Sequence, residues 1–504
     1  MKKLYRFSAI ALLVLPLVFT SCSDYLDRDD DDNITEADVF ARYEKVNGLV
    51  SDVYAAAKKA DRPLVFFEHF SNSAITDECE GTNVEGNITN NFNNGAWNPN
   101  SLPGSVGQYW EALYEGIRKA NLVIENVQKY NTPDNPQQDG DLRNRIGEMY
   151  FMRGYFHMLL LRMYGEAPYI DRVINAGDNM DFKKESVHSM VEKIVTDAQT
   201  AYGMVPNKYV KTSENFGRVD KGACLGLISF VRWVAATPLW NGASQYGYNL
   251  RRVFENEYAY DATRWRKAKE AAKAVLDFEV GGTKRYSLYT KHDANDFKDP
   301  ADGNLNDSRV YARLWDMFYD MDAFANEYVF FMTKSKDQAW QGDIYPPSRE
   351  GSSRQQPVQE QVDEYEYIVG DYGYPVYSAE ARKGGYDDTN PYVKGTRDPR
   401  FYRDVIYHGA PYRNNKNESK TINTASGSDK IGATNATTTG YYLRKFQQES
   451  WNKSGNFSIN APAIWRLPEF IYIYAEACNE LGEDIDEAYK LVNTVRERSF
   501  MKPM

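Results

Sequence analysis

Between Tyr109 and Pro168, apolar residues recur at alternating steps of three and four. Trp110, Leu113, Ile117, Ala120, Ile124 and Val127 form one stripe. Leu142, Ile146, Met149, Arg153, Phe156, Leu160 and Met163 form a second, with Arg153 its one charged member. This period places each set on one face of a helix. The connector from Tyr130 to Gly140 holds Pro133, Pro136 and Gly140, which a helix does not easily run through. The spacing predicts two antiparallel helices. Neither buries its stripe alone, so further helices are expected to stack on the pair.

The same period returns along the chain. Val39, Tyr43, Val46, Val50, Val53 and Ala57 follow Thr35-Glu36-Ala37-Asp38, a variant of the capping box. Val187, Met190, Ile194, Ala198 and Ala201 predict a helix over Ser186 to Val205. Another is expected from Asp220 to about Pro238, where Gly222, Ala223 and Gly226 leave room for a close neighbour. Trp265, Ala268, Ala272 and Val275 mark one over Arg264 to Phe278. Near the end, Leu467, Ile471, Tyr474, Cys478 and Leu481 form a stripe that Gly482 breaks, and Ala488, Leu491 and Val495 form the next. Two helices joined at a glycine match the tetratricopeptide scale of roughly 34 residues.

The helical period is lost in two places. From Pro63 to Gly107 the chain is rich in Asn and Gly, with Asn87 to Asn94 nearly all polar, and it carries Asp77, Glu78 and Trp97. A loop this long is usually functional or disordered. From Gly281 to Ala461, Gly, Asn, Pro and Tyr occur in short clusters, which predicts an irregular subdomain threaded between helix pairs. Within it Thr421 to Thr439 is rich in Ser, Thr, Asn and Gly and reads as a mobile surface loop.

The first residues suggest an address. Lys2, Lys3 and Arg6 precede an apolar run from Phe7 to Phe19, too short to span a bilayer comfortably, which reads as a secretory signal. It ends in Phe19-Thr20-Ser21-Cys22, which resembles a bacterial lipobox; Cys22 is then the expected site of lipidation. The acidic run Asp24 to Asp32 is too charged to pack and reads as a solvated tether. The body would be held to a membrane by acyl chains.

Composition narrows the function. At 504 residues, 42% hydrophobic and 26% charged, the chain is of ordinary globular composition. Its net charge of -11, with no offsetting basic stripe, argues against a nucleic-acid partner. Aromatics are in surplus at 14%, including 38 Tyr and 9 Trp, which suits a binding surface, although helix packing accounts for many of them. Beyond Cys22 only Cys79, Cys224 and Cys478 remain, so the chain is no disulfide scaffold; the last two fall in helical stripes and read as core.

Catalytic signatures are missing. The five histidines are not spaced as metal ligands on one helix face, and there is no HExxH, GxSxG, GxxxxGK or strand-borne GxGxxG. His157, between Phe156 and Met158, reads as a packing residue. The Asp/Asn cluster from Asp293 to Asp307 fails the EF-hand pattern and is better explained as a solvated acidic loop. Asp363, Glu364 and Glu366 read as a charged helix face. No cofactor or metal is expected.

Exposed aromatic and amide-rich loops remain. Sugar rings lie on Trp or Tyr faces while their hydroxyls take hydrogen bonds from polar side chains. The segment Lys334 to Arg354 sets Trp340 and Tyr345 in a polar loop punctuated by Gly and Pro, where neither has a stripe to join. Trp97 is similar but can instead pack where its loop rejoins the helix. Trp340, Tyr345, Trp97, Asp77 and Glu78 are therefore the candidate ligand residues.

Several stretches together resemble the SusD/RagB family of outer-membrane lipoproteins. They are the lipobox with Cys22; Tyr109-Trp110 with Tyr114, Ile117 and Asn121; and Arg153-Gly154-Tyr155-Phe156 leading to Tyr164-Gly165 and Pro168. Pro357-Val358-Gln359-Glu360 with Val362 and Tyr365 follows, then Asp398-Pro399-Arg400-Phe401, and Arg466-Leu467-Pro468-Glu469 leading to Tyr474-Ala475-Glu476-Ala477. The resemblance implies a mainly α, tetratricopeptide-like scaffold, no catalysis, and capture of a glycan at the cell surface. It also implies a partner, a SusC-like TonB-dependent barrel over which such a protein sits as a lid. Similar proteins usually continue past Met504 with a further helix, so a truncated end is expected. The family's binding loops vary, so no ligand residue transfers from it.

The expected organisation is a signal peptide (1–21), a lipidated acidic tether (22–34), a helical domain (35–280), an irregular binding subdomain (281–461) and a C-terminal helix pair (462–504). Two other functions stay open. A RagB-type protein would bind peptides, with Asp77 and Glu78 facing a basic chain, and a surface glycoside hydrolase would release reducing sugar.

Overall fold

The computed structural model describes residues 35–60, 70–82, 88–98, 100–130, 136–209, 214–243, 254–291, 312–318, 320–332, 342–393, 395–413, 419–447 and 463–504. The signal, Cys22, the acidic tether, Trp340 and the cluster from Asp293 to Asp307 lie outside these residues.

Nine helices set the frame among the described residues: α1 (Glu36–Phe40), α2 (Tyr43–Ala60), α3 (Gly104–Tyr130), α4 (Pro136–Tyr164), α5 (Val187–Met204), α6 (Lys221–Ala236), α7 (Ala262–Leu276), α8 (Leu467–Leu481) and α9 (Ile485–Arg498). Shorter helices lie between them. Each helix from α2 to α9 packs on the next. The fold is mainly α and tetratricopeptide-like, the class that the periodicity predicted.

Local chemistry explains the boundaries. Thr35 caps α1 in a capping box with Asp38. The stripe read through Val39 to Ala57 is broken at Ala41 and Arg42, so one predicted helix is two. Pro136 opens α4, because proline fits a first turn whose N–H groups have no helical partner. The helix then runs through Gly140, so the connector is shorter than the expected Tyr130 to Gly140. Ser186 and Asp220 cap α5 and α6 by accepting from Ser189 N at 3.2 Å and Ala223 N at 3.1 Å. Gly482 ends α8 in the left-handed region at φ 65°, the usual glycine stop.

The stripes meet in one core. Leu113, Ile117, Met149, Phe156, Met190, Ile194, Leu227, Phe470 and Cys478 are all buried in it. Two glycines set the approach of its parts. A Cβ on Gly116 would lie 2.5 Å from the Phe156 ring, and one on Gly226 would meet Val329 at 2.9 Å and Phe470 at 3.1 Å. Trp110 and Tyr164 join α3 to α4 by an edge contact at 4.9 Å.

A buried polar knot ties α3, α4 and α5. Arg153 donates to both Asp197 oxygens (2.8 and 2.5 Å), to Asn121 Oδ1 (2.9 Å) and to Asp171 O (2.8 Å), while Tyr169 Oη donates to Asp197 at 2.6 Å. His157 is fully buried, held at Nδ1 by Arg153 O (2.8 Å), accepting from Ile170 N at Nε2 (3.0 Å) and stacked on Tyr169. Burial pushes its pKa down to about 3, the nearby Arg153 and Lys193 charges adding to this against the Arg153 carbonyl, so the ring is neutral. His157 is a packing residue, as read.

Between α7 and α8 the chain forms short strands, turns and small helices. The pairing of β3 (Tyr328–Phe331) with β7 (Ala463–Arg466) brings it back to the stack, where α8 packs on α6 and α7. A three-stranded antiparallel sheet runs β1 (Ile75–Thr76), β2 (Cys79–Gly81), β4 (Gln355–Pro357), with Cys79 opposite Pro357. β5 (Val405–Ile406) pairs with β6 (Tyr442–Leu443). Two loop expectations are corrected. Ile88–Asn93 is a short helix despite its polarity. The segment Thr421 to Thr439 is not a free surface loop: Ile422, Ala436 and Thr437 are buried, and the Gln356 amide oxygen accepts from Thr438 N at 2.9 Å and Thr438 Oγ1 at 3.0 Å. Long-range hydrogen bonds order what local composition left open.

Candidate functional site

Two cavities of about 550 and 360 Å³ meet where the irregular region abuts the start of α8. Gln361, Tyr365, Asp404, Lys445, Arg466 and Pro468 line both. These volumes fall in the range of roughly 300–1,000 Å³ typical of small-molecule sites.

Several elements supply the walls. The β1–β2 hairpin, held to the next segment by Val358 N donating to Glu78 O at 3.3 Å, brings Glu78 to the first cavity. Helix Pro399–Asp404 ends in Asp404, and the turn after β6 carries Lys445 and Phe446. β7 ends in Arg466, and α8 opens with Pro468 and Glu469.

The charges are unevenly satisfied. Glu327 is fully buried and accepts from Arg466 (3.0 Å), from Arg498 (3.1 and 3.0 Å) and from Tyr289 N (2.6 Å). Asp404 accepts from Arg403 at 2.6 Å and Tyr365 Oη at 2.9 Å. Burial would raise its carboxyl, but Arg403, Lys445 and these hydrogen bonds outweigh it and hold it below its ordinary value. Lys445 is half-buried, and its ammonium makes no hydrogen bond or close ion pair among the described residues. Burial pushes its pKa down to about 8, Arg403 and Arg466 adding to this against the attraction of Asp404. Glu469, also half-buried, is pushed up to about 7 by burial, against Arg162 and Arg466.

Of the sequence candidates, Glu78 alone among the described ones lines this space. Asp77 is exposed beside it in the hairpin turn. Trp97 is half-buried, edge-on to Phe92 at 4.9 Å and packed against Phe70 and Ala74 where its loop rejoins the body. Tyr345 corrects the exposure reading. It is 2% exposed, in a cluster with Ile344, Ile406, Ala410, Ile422 and Tyr442. The loop folds back on itself through Ser353 N to Tyr345 O (3.2 Å) and Ser352 N to Gly342 O (2.8 Å), which turns the ring inward. Cys79, Cys224 and Cys478 are buried and free. No group of three His, Cys, Asp or Glu side chains among the described residues is placed to hold a metal.

Comparison with known proteins places the scaffold. Residues 24–231 match a family model described as starch-binding and associating with the outer membrane, and residues 319–504 match the SusD family model. The chain belongs to the SusD/RagB family. A SusD-like protein of Formosa agariphila is 24% identical over 202 residues, 39% of this chain and 38% of that protein. The match thus spans well under half of that relative. A SusD-like protein of Bacteroides fragilis has the same fold at TM-score 0.69 and 18% identity, covering 94% of this chain and 82% of its own. A SusD-like carbohydrate-binding protein of the same organism matches at 0.68 and 15%, covering 92% and 80%. A laminarin-binding SusD-like protein matches at 0.54 and 18%, covering 92% and 85%.

Three of the SusD-like stretches converge on the paired cavities: Pro357 from the first, Asp398 and Arg400 from the second, Arg466, Pro468 and Glu469 from the third. In the sequence these residues stand out only through the family resemblance, and nothing there marks them as a site. Lys445 carried no signal at all, since only folding sets it beside Asp404 and Arg466.

Proposed function

We propose that this SusD/RagB protein captures a polysaccharide or oligosaccharide at the cell surface, without catalysis, and hands it to a SusC-like TonB-dependent barrel. Cys22 would carry the acyl anchor that holds it to the outer membrane. Among the described residues no helix is long and apolar enough to cross a membrane, which is consistent with anchoring by lipid. Family membership over both matched regions is the observation that carries the reading. The likeness in fold to a laminarin-binding SusD-like protein supports it. Trp340, Trp97, Asp77 and Glu78 remain the proposed contacts, while Tyr345 supports the loop from within.

Isothermal titration against a broad glycan panel tests this. Binding to at least one polysaccharide, weakened by Trp340→Ala, is expected. Silence across the panel, or release of reducing sugar from a bound polymer, would overturn it. The peptide reading has one observation in its favour, the exposed acidic pair Asp77 and Glu78, of which Glu78 lines the first cavity. A peptide array enriched in Lys and Arg separates the two.

A further inference from the structure

A groove of about 630 Å³ lies along α3 and shares no lining residue with the paired cavities. Its walls are Tyr114 and Ile117 of α3 and, opposite them, Ile170, Ile174 and Met180 from the segment between α4 and α5. Met180 is 67% exposed, and Tyr114 and Ile174 are half-buried. Hydrogen bonds fix the second wall on the helix: Arg118 donates to Ile174 O and Val173 N to Glu125, both at 2.7 Å. Arg118 and Arg172 are the charged lining, and no carboxylate joins them. Asp178 answers Arg172 at 2.6 Å, whereas Arg118 has no ion-pair partner among the described residues.

The start of the chain points at this groove. Lys129, Glu125, Leu122 and Arg118 recur at steps of four, three and four, so they share one face of α3. Helix α1 packs on α3, and Glu36 in its first turn lies near enough to Lys129 for their charges to interact. The chain thus joins the body at one end of a stripe whose other end is Arg118, about 16 Å along the helix axis. An extended chain from Thr35 back to Leu26 covers up to about 30 Å, which is more than enough. That stretch carries what the groove lacks. Tyr25 and Leu26 are the apolar pair of the run Asp24 to Asp32, and Asp24 and Asp27 flank them. An apolar pair between two carboxylates complements an apolar slot beside an unanswered guanidinium.

We propose that the segment Asp24 to Asp27 docks in this groove, with Tyr25 and Leu26 between its walls and a flanking carboxylate on Arg118. The consequence rests on the reading of Cys22 as the acyl anchor. Docking leaves only Cys22 and Ser23 between the anchor and the groove, so this side of α3 is held against the outer membrane and the body does not swing on a long tether.

A thiol trap in the full chain tests the docking. Cys22→Ser removes a competing thiol, and Cys79, Cys224 and Cys478 are buried. Arg28→Cys is paired in turn with Met180→Cys at the groove and with Gln128→Cys, an exposed position beside Lys129 and nearer to α1. A freely solvated tether samples the nearer thiol more often and traps Gln128→Cys first. Docking reverses the order, and the intramolecular disulfide to Met180→Cys should form at least about threefold faster, the scale of one exposed ion pair. Arg118→Glu should slow that trap, and adding Asp24→Lys and Asp27→Lys should restore it, which mere damage to the groove would not allow. Faster trapping at Gln128→Cys, or an unchanged rate in Arg118→Glu, overturns the docking. So does a disulfide-linked dimer as the main product, since a second copy then fills the groove. Mass spectrometry of the wild-type Cys22 peptide scores the anchor separately. A working trap beside an unmodified Cys22 counts against the anchor alone, and a failed trap beside an acylated Cys22 against the docking alone.

Discussion

The helical stack and the junction above α8 both bury charged side chains, but they treat them in opposite ways. In the stack the buried charges Arg145, Glu148, Arg153, Glu166, Asp197 and Asp220 are each answered. Arg153 meets Asp197, Asn121 and a backbone carbonyl, and Glu148, fully buried, is served by Arg145, Arg218 (2.8 Å), Tyr54 (3.1 Å) and Tyr209 (2.7 Å). At the junction Lys445 and Glu469 point no hydrogen bond at any described residue, and Glu327 serves two arginines. A closed network rigidifies a scaffold; an open one leaves capacity for something that is not part of the chain. The difference separates what holds the molecule together from what it can offer a ligand.

The sharpest way to break that comparison is to open a closed network. Arg153→Met leaves Asp197 buried without its cation, which should cost about 3–5 kcal/mol. Denaturant unfolding followed by circular dichroism measures it. Adding Asp197→Leu should return part of the loss, because the second change removes the stranded charge. A single variant as stable as the wild type would mean that the knot is not the tie between α3, α4 and α5.

The same network should be acid-sensitive. The folded pKa of His157 lies at about 3, below the ordinary 6.5, so the folded state resists a proton that the unfolded chain accepts. Its contribution is therefore fully present above pH 6.5 and lost as pH falls from 6.5 toward 3, by roughly 1.4 kcal/mol per pH unit. Unfolding midpoints at pH 7 and 4.5, compared between the wild type and His157→Gln, isolate it. The variant should lose less stability across that interval. Equal losses would show that the ring is protonated in the fold.

How much of this was legible beforehand follows the same divide. The stack was, because amphipathic period is local: most residues of the predicted stripes from Leu113 to Val495 face one core, and α5 and α6 start at Ser186 and Asp220, where helices were expected to begin. The irregular region was not. Tyr345 meets Ile406, Ile422 and Tyr442, partners 61 to 97 positions away whose spacing has no period. A lone aromatic in a polar loop looks exposed until such partners are known. The SusD-like stretches announced the family and concealed the site, since Arg466 and Glu469 looked like fold markers and their meeting with Lys445 is purely tertiary.

Within the irregular region the order should be local and breakable. Gln356→Ala removes the amide that gathers buried Thr437 and exposed Thr438, at a cost of about 1–3 kcal/mol. Hydrogen exchange should rise across Thr424 to Tyr442 while α3 and α4 stay protected. A rise spread evenly over the stack would mean that the two regions unfold as one.

The smallest effect tests the open end of the comparison. Lys445 has a folded pKa of about 8 against an ordinary 10.5, so burial of its charge opposes folding below pH 8, and that cost is relieved as pH rises from 8 to 10.5. Because the group is only half-buried and water still screens it, the cost is on the order of 1 kcal/mol. Lys445→Met should therefore unfold at a slightly higher urea concentration than the wild type at pH 7, and the gap should close by pH 10. This is the reverse of Arg153→Met, where the same replacement of a buried cation by a thioether destabilises. If Lys445→Met also lowers the midpoint at pH 7, the ammonium is held by an internal partner, and the junction is as closed as the stack.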